Sequence, residues 1–106
     1  MREEGLGVTD YVIPLGEGAR KRHYHESIKG EVIGFVVQME IIVEGKWREV
    51  IRYDSEHGFP HIDRYYLNGT KAKMELKLKL NEALILADED IKENWKAYQR
   101  DFLEGK

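Results

Sequence analysis

Residues 30–45, "GEVIGFVVQMEIIVEG", alternate over most of their length. Ile33, Phe35, Val37, Met39, Ile41 and Val43 make one set, and Val32, Val36, Gln38, Glu40 and Ile42 make a more polar one. A period of two sends successive side chains to opposite faces of a strand, so this stretch predicts one long strand with one face fully buried. "EGK" then supplies a tight turn in which Gly45 accepts positive φ. "WREVIRYD" returns with Trp47, Ile51 and Tyr53 on one face and Arg48, Arg52 and Asp54 on the other.

Working outward, the six residues "SEHGFP" form a longer loop, and "HIDRYYL" reads as a further strand. An Asn68-Gly69 turn leads into "TKAKMELKLKL", where Met74, Leu76, Leu78 and Leu80 alternate with Lys73, Glu75, Lys77 and Lys79. The period changes near Asn81, a residue suited to cap a helix. From there Leu84, Ala87, Ile91, Trp95, Tyr98 and Phe102 recur at three- and four-residue steps as one stripe, and Gly105 marks the stop. Upstream, "ARKRHYHESI" adds a strand at one edge, whereas "GVTDYVIPLGEG" is too interrupted by glycine and proline to read as regular. The expectation is one α+β domain over residues 1–106. Residues 1–19 are irregular, residues 20–80 form an antiparallel meander of four to five strands, and one long C-terminal helix over residues 81–104 packs across one face.

The chain has 106 residues, 42% hydrophobic and 35% charged, with two prolines and no cysteine. That composition is globular rather than disordered, and it excludes disulfides, thiolate metal sites and thiol catalysis. No apolar run approaches the ~20 residues of a membrane span and the N-terminus lacks a signal-peptide core, so a cytoplasmic protein without membrane contact is expected. Net charge is −3, yet residues 20–80 carry twelve basic against nine acidic residues, while both ends are acidic. Bulk charge therefore argues against a purely electrostatic nucleic-acid binder, though the middle is locally basic. Abundant glutamate and lysine without cysteine also lean toward a heat-adapted proteome.

Chemistry concentrates in "RYDSEHGFPHIDRYY", residues 52–66. With Ile62 inward, His61 and Asp63 share a face with Arg52 and Asp54, and His57 sits in the loop above them. Asp54, His57 and His61 then form a candidate catalytic set. Two imidazoles serve as base and acid near neutral pH, and Arg52 or Arg48 holds phosphate. No cofactor is required for that chemistry. Asp54, His57, His61 and Asp63 equally make an oxygen and nitrogen donor set for a divalent metal. A third reading is a polar hairpin in which Arg52 and Asp54 simply pair. "RKRHYHE", Arg20 to Glu26, has the composition of a phosphate- and base-gripping run, but it also suits a solvated edge strand.

The stretch "VVQMEIIVEGKWREVIRYDSEHGFPHID" resembles the central hairpin of small prokaryotic proteins of the TumE toxin type and of related uncharacterised families. The matched positions are Arg52, Tyr53, Asp54, His57 and His61, about a third of the chain being covered. The resemblance implies a toxin of a toxin–antitoxin pair, acting on RNA as a ribonuclease and partnered by an antitoxin. Against this stands a different class of function, a non-catalytic interaction module that forms a homodimer or binds a protein through its sheet.

Overall fold

The computed structural model describes residues 5–105, with the side chain of His57 outside that description. Six strands run β1 (Gly7–Gly16), β2 (Ala19–Ile28), β3 (Glu31–Val43), β4 (Lys46–Asp54), β5 (His61–Tyr65) and β6 (Lys71–Glu75), followed by α1 (Leu80–Glu104). They form one antiparallel sheet in simple chain order, and α1 packs on one of its faces, mainly over β3 and β4. The fold is the expected α+β meander with one C-terminal helix, with a sixth strand added. No helix among the described residues is long and apolar enough to cross a membrane.

The hairpins follow from their turns. Lys29-Gly30 joins β2 to β3 and Glu44-Gly45 joins β3 to β4, with both residues of each pair at positive φ. Two consecutive positive φ values give the turn twist that matches paired strands, and glycine bears the second at no steric cost. The core lies between the sheet and α1. Phe35, Val37, Met39 and Ile41 of β3 and Ile51 and Tyr53 of β4 meet Leu84, Ala87, Ile91 and Phe102 of the helix, all buried. Trp95 and Tyr98 of the same stripe pack at the margin of this cluster. Gly105 closes the helix in the left-handed conformation, its N–H bonded to the Asp101 carbonyl.

Four expectations are corrected. Residues 7–16 are not irregular but form β1, whose register against β2 runs from Gly7↔Ser27 to Pro14↔Arg20. An edge strand tolerates Pro14 and its glycines because one side of its ladder is open. β2 is consequently interior, not an edge. The helix begins at Leu80, one residue early, with the Lys79 N–H donating to Glu82 Oε1 at 3.0 Å, and Asn81 lies in its first turn instead of capping it. The strand over the lysine ladder stops at Glu75, and Met74 is 61% exposed because α1 covers β3 and β4 and leaves β6 bare.

The fourth correction concerns the faces. The register passes over Val50 between Met39↔Ile51 and Glu40↔Glu49, and over Ile33 between Gly34↔Glu26 and Val32↔Ser27. Each bulge inserts one residue and inverts the alternation beyond it. Trp47 therefore leaves the helix side, where alternation put it, and stands 40% exposed under the Arg20 guanidinium at 3.8 Å. Arg48 takes its place on the helix side, 5.9 Å over the Phe102 ring. Ile33 is likewise 46% exposed, and Val32 packs on the core in its stead.

Candidate functional site

On the sheet face away from α1, register alone brings the motif residues together. β4 and β5 pair Asp54 with His61 and Arg52 with Asp63, while Tyr53 and Ile62 point to the core between them. His61 Nε2 lies 2.6 Å from Asp54 Oδ1, the Arg52 Nε–H donates to Asp54 Oδ2 at 2.7 Å, and the backbone N–H of Glu56 reaches Asp54 Oδ1 at 3.1 Å. The 3-10 turn over Glu56–Gly58 exists to deliver that last bond, since it folds the loop back onto the end of β4. Phe59 presents its edge to the His61 ring at 6.1 Å.

Burial is what the sequence did not foretell. Asp54, His61 and Asp63 are 3%, 4% and 5% exposed, so three titratable groups sit nearly without solvent on what should be the polar face. Burial opposes the charge of Arg52, but its hydrogen bond to Asp54 and that carboxylate's charge outweigh burial and hold the guanidinium above its ordinary pKa. Asp63 is served less well. Its Oδ1 accepts no hydrogen bond, and the nearest cation, Lys73 Nζ, stands 4.0 Å away on a largely exposed side chain. A buried carboxylate oxygen without a partner costs about 1–3 kcal/mol or more, which marks the position as one built for something else.

One ligand atom each from Asp54, His61 and Asp63 lies within 4.8 Å of the others. Donors ~2.1 Å from one tetrahedral ion stand ~3.4 Å apart, so closing this set on a divalent cation draws its widest pair together and opens the 2.6 Å contact between His61 and Asp54. Two grooves beside the cluster are acidic; one reaches Asp54, and neither is lined by His61 or Asp63. An open groove of about 500 Å³ has Glu26, Asp54 and Glu56 in its wall against Arg52, and a neighbouring one of about 340 Å³ has Asp10, Glu40 and Glu49 against Arg22 and Arg52. Such walls attract cations and repel polyanions.

Of the residues named from sequence, Arg52, Asp54, His61 and Asp63 converge. His57 lies in the turn above them, its side chain outside the described residues. Arg48 does not join them, because the Val50 bulge turns it to the opposite side of the sheet.

A second titratable cluster was missed as a unit. On the helix-facing side, Asp88 of α1 accepts from Lys21 Nζ at 2.8 Å and lies 3.0 Å from His23 Nδ1, and His23 Nε2 lies 2.7 Å from His25 Nδ1. Tyr11 stacks on His23 with centroids 4.5 Å apart. Burial, then the neighbouring His23, lower the His25 pKa against the pull of Asp88. The signal was present as Lys-x-His-x-His on one face of β2 and an Asp four residues after Leu84 on the helix stripe. Nothing local joined them. Since this group ties β1 and β2 to α1, "RKRHYHE" serves packing as much as any ligand.

The sequence matches, over residues 1–106, the family described as Domain of unknown function (DUF7718). The chain belongs to this family. No curated protein and no solved structure matches it.

Proposed function

We propose that this member of the DUF7718 family is a divalent-cation-binding domain whose ligands include Asp54, His61 and Asp63. The observation that carries the reading is the buried Asp63 Oδ1, which accepts no hydrogen bond and has only the Lys73 ammonium at 4.0 Å, beside an Asp and a His whose donor atoms lie close to its own. Mixed oxygen and nitrogen donors without sulfur suit Zn²⁺, Mn²⁺ or Fe²⁺. A bound cation supplies Lewis acidity and a water of lowered pKa. The chain's own part is to hold the ligands. Arg52 and the Glu56 N–H fix the Asp54 carboxylate, and the Phe59 ring packs against His61.

RNA-directed, toxin-like activity is the second reading, favoured by the Arg52–Asp54–His61 chain, in which a carboxylate orients an imidazole beside a guanidinium. The acidic walls speak for a cation at the site before a phosphodiester approaches. On this reading an antitoxin is the partner, and a cysteine-free chain suits the reducing cytoplasm.

The experiment strips the full chain with chelator, adds Zn²⁺ or Mn²⁺ and follows the melting temperature. A rise is expected, because an ion that binds only the folded state stabilises it by mass action. Unchanged melts with both ions would remove the cation reading. Cleavage of an RNA panel by the stripped protein would then leave the metal-free ribonuclease standing.

A further inference from the structure

β5 pairs with β4 only over Ile51–Asp54, so the β5-facing backbone edge of residues 46–50 meets no strand among the described residues. The chain turns away through Tyr66, Gly69 and Thr70 and leaves a notch of about 310 Å³. Trp47, Tyr65 and Tyr66 supply aromatic walls above the buried Phe102 ring, and Arg48 and Glu49 supply the charges. Those charges are not equivalent. Glu49 lies beside Tyr65, whose pKa is pushed up to about 12 by burial and then by the Glu49 charge. The Arg48 guanidinium makes no ion pair or hydrogen bond with any described residue, and the Phe102 ring lies 5.9 Å from it.

We propose that this notch is a binding site for a planar heteroaromatic ring carrying an anionic group. Aromatic walls stack a ring whatever its substituents. An uncommitted guanidinium pairs a carboxylate or phosphate with two parallel hydrogen bonds. The open edge of β4 offers backbone N–H and C=O groups to ring heteroatoms, as it would to a strand. Ligand sites run from ~300 to ~1,000 Å³, so this one takes a single small molecule and no oligomer. It shares none of Arg52, Asp54, His61 and Asp63, and the bulge at Val50 that carried Arg48 away from Arg52 places Arg48 at it.

A nucleoside monophosphate and an aromatic carboxylate share this chemistry, and separate titrations distinguish them. The full chain is followed by ¹H–¹⁵N correlation spectra, in which its two tryptophans give two indole signals. The proposal expects the Trp47 indole, assigned by Trp47→Phe, to shift saturably with uridine monophosphate or with indole-3-carboxylate at ~1 mM or below, while Trp95 stays fixed. Ribose 5-phosphate and inorganic phosphate bind more weakly, because they lack the ring. Arg48→Gln weakens binding about tenfold or more with the rest of the spectrum unchanged, and Arg48→Lys recovers part of it. No saturable shift with either probe up to ~10 mM would overturn the site, and so would binding indifferent to Arg48→Gln.

Discussion

His61 of β5 and Asp54 of β4 are register partners whose side chains meet at 2.6 Å, and both are nearly sealed from solvent on the sheet face that carries no helix. A charge-assisted pair on an uncovered face is ordinarily exposed and worth little. Here the long Arg52 side chain, the folded-back Glu56–Gly58 turn and Phe59 close over it. The pair therefore belongs to the energetics of the fold as well as to any chemistry.

His61→Ala should accordingly destabilise the metal-free protein by about 3 kcal/mol, since it removes one partner of a buried pair and opens a cavity. Arg52→Ala should cost only about 1 kcal/mol, because its side chain is one-third exposed and Asp54 keeps its other two partners. Urea unfolding measures both. Equal small losses would mean that the pair is a surface ion pair after all.

Asp88→Ala should cost about 3 kcal/mol, because Lys21, 7% exposed at its side chain, is then left charged and alone. The double variant Lys21→Met, Asp88→Leu should return to within ~1 kcal/mol of the parent, since it removes the buried charge together with its partner. A double variant as unstable as the single one would assign the cost to His23 and Tyr11 rather than to the stranded lysine.

Stability should fall on both sides of neutrality, for different groups. The His25 pKa is lowered in the folded protein from 6.5, by burial and then by His23, so the unfolded chain binds the extra proton and stability is lost as pH drops below about 6.5. Tyr53 and Tyr98 are raised from 10.0, by burial and then by hydrogen bonds to Asp90, so the folded chain keeps protons that the unfolded one releases. Their contribution is complete below about pH 10 and is lost above it. Melting temperatures across this range check both limbs. His25→Gln should flatten the acid limb and leave the alkaline one unchanged.

How much of this was legible depended on whether a residue's environment was set locally. Phe35 to Ile41 and the stripe from Leu84 to Phe102 read directly, because their periods are those of a strand and a helix packed on one core. That Arg52, Asp54, His61 and Asp63 share a face was also legible, since the period of two and an inward Ile62 fix the face, whereas the pairing of Arg52 with Asp63 and Asp54 with His61 comes from the strand register. The bulges at Ile33 and Val50 were not. No residue type announces them, and a single inserted residue was enough to exchange Trp47 and Arg48 between faces. β1 was hidden because its glycines and Pro14 forbid a central strand but not an edge one. The burial of Asp54, His61 and Asp63 and the meeting of His23 with Asp88, 65 positions away, are products of tertiary packing that no window of sequence contains.

The most direct test of the cation site is calorimetric titration of Zn²⁺ and Mn²⁺ into the chelator-stripped full chain and into Asp63→Asn. The parent should take up one ion per chain. Asp63→Asn keeps the shape of the site but loses the unpartnered anionic oxygen. It should stay folded, no less stable without metal than the parent, and bind at least about tenfold more weakly. No heat of binding in the parent with either ion, or equal affinity in Asp63→Asn, would contradict the site.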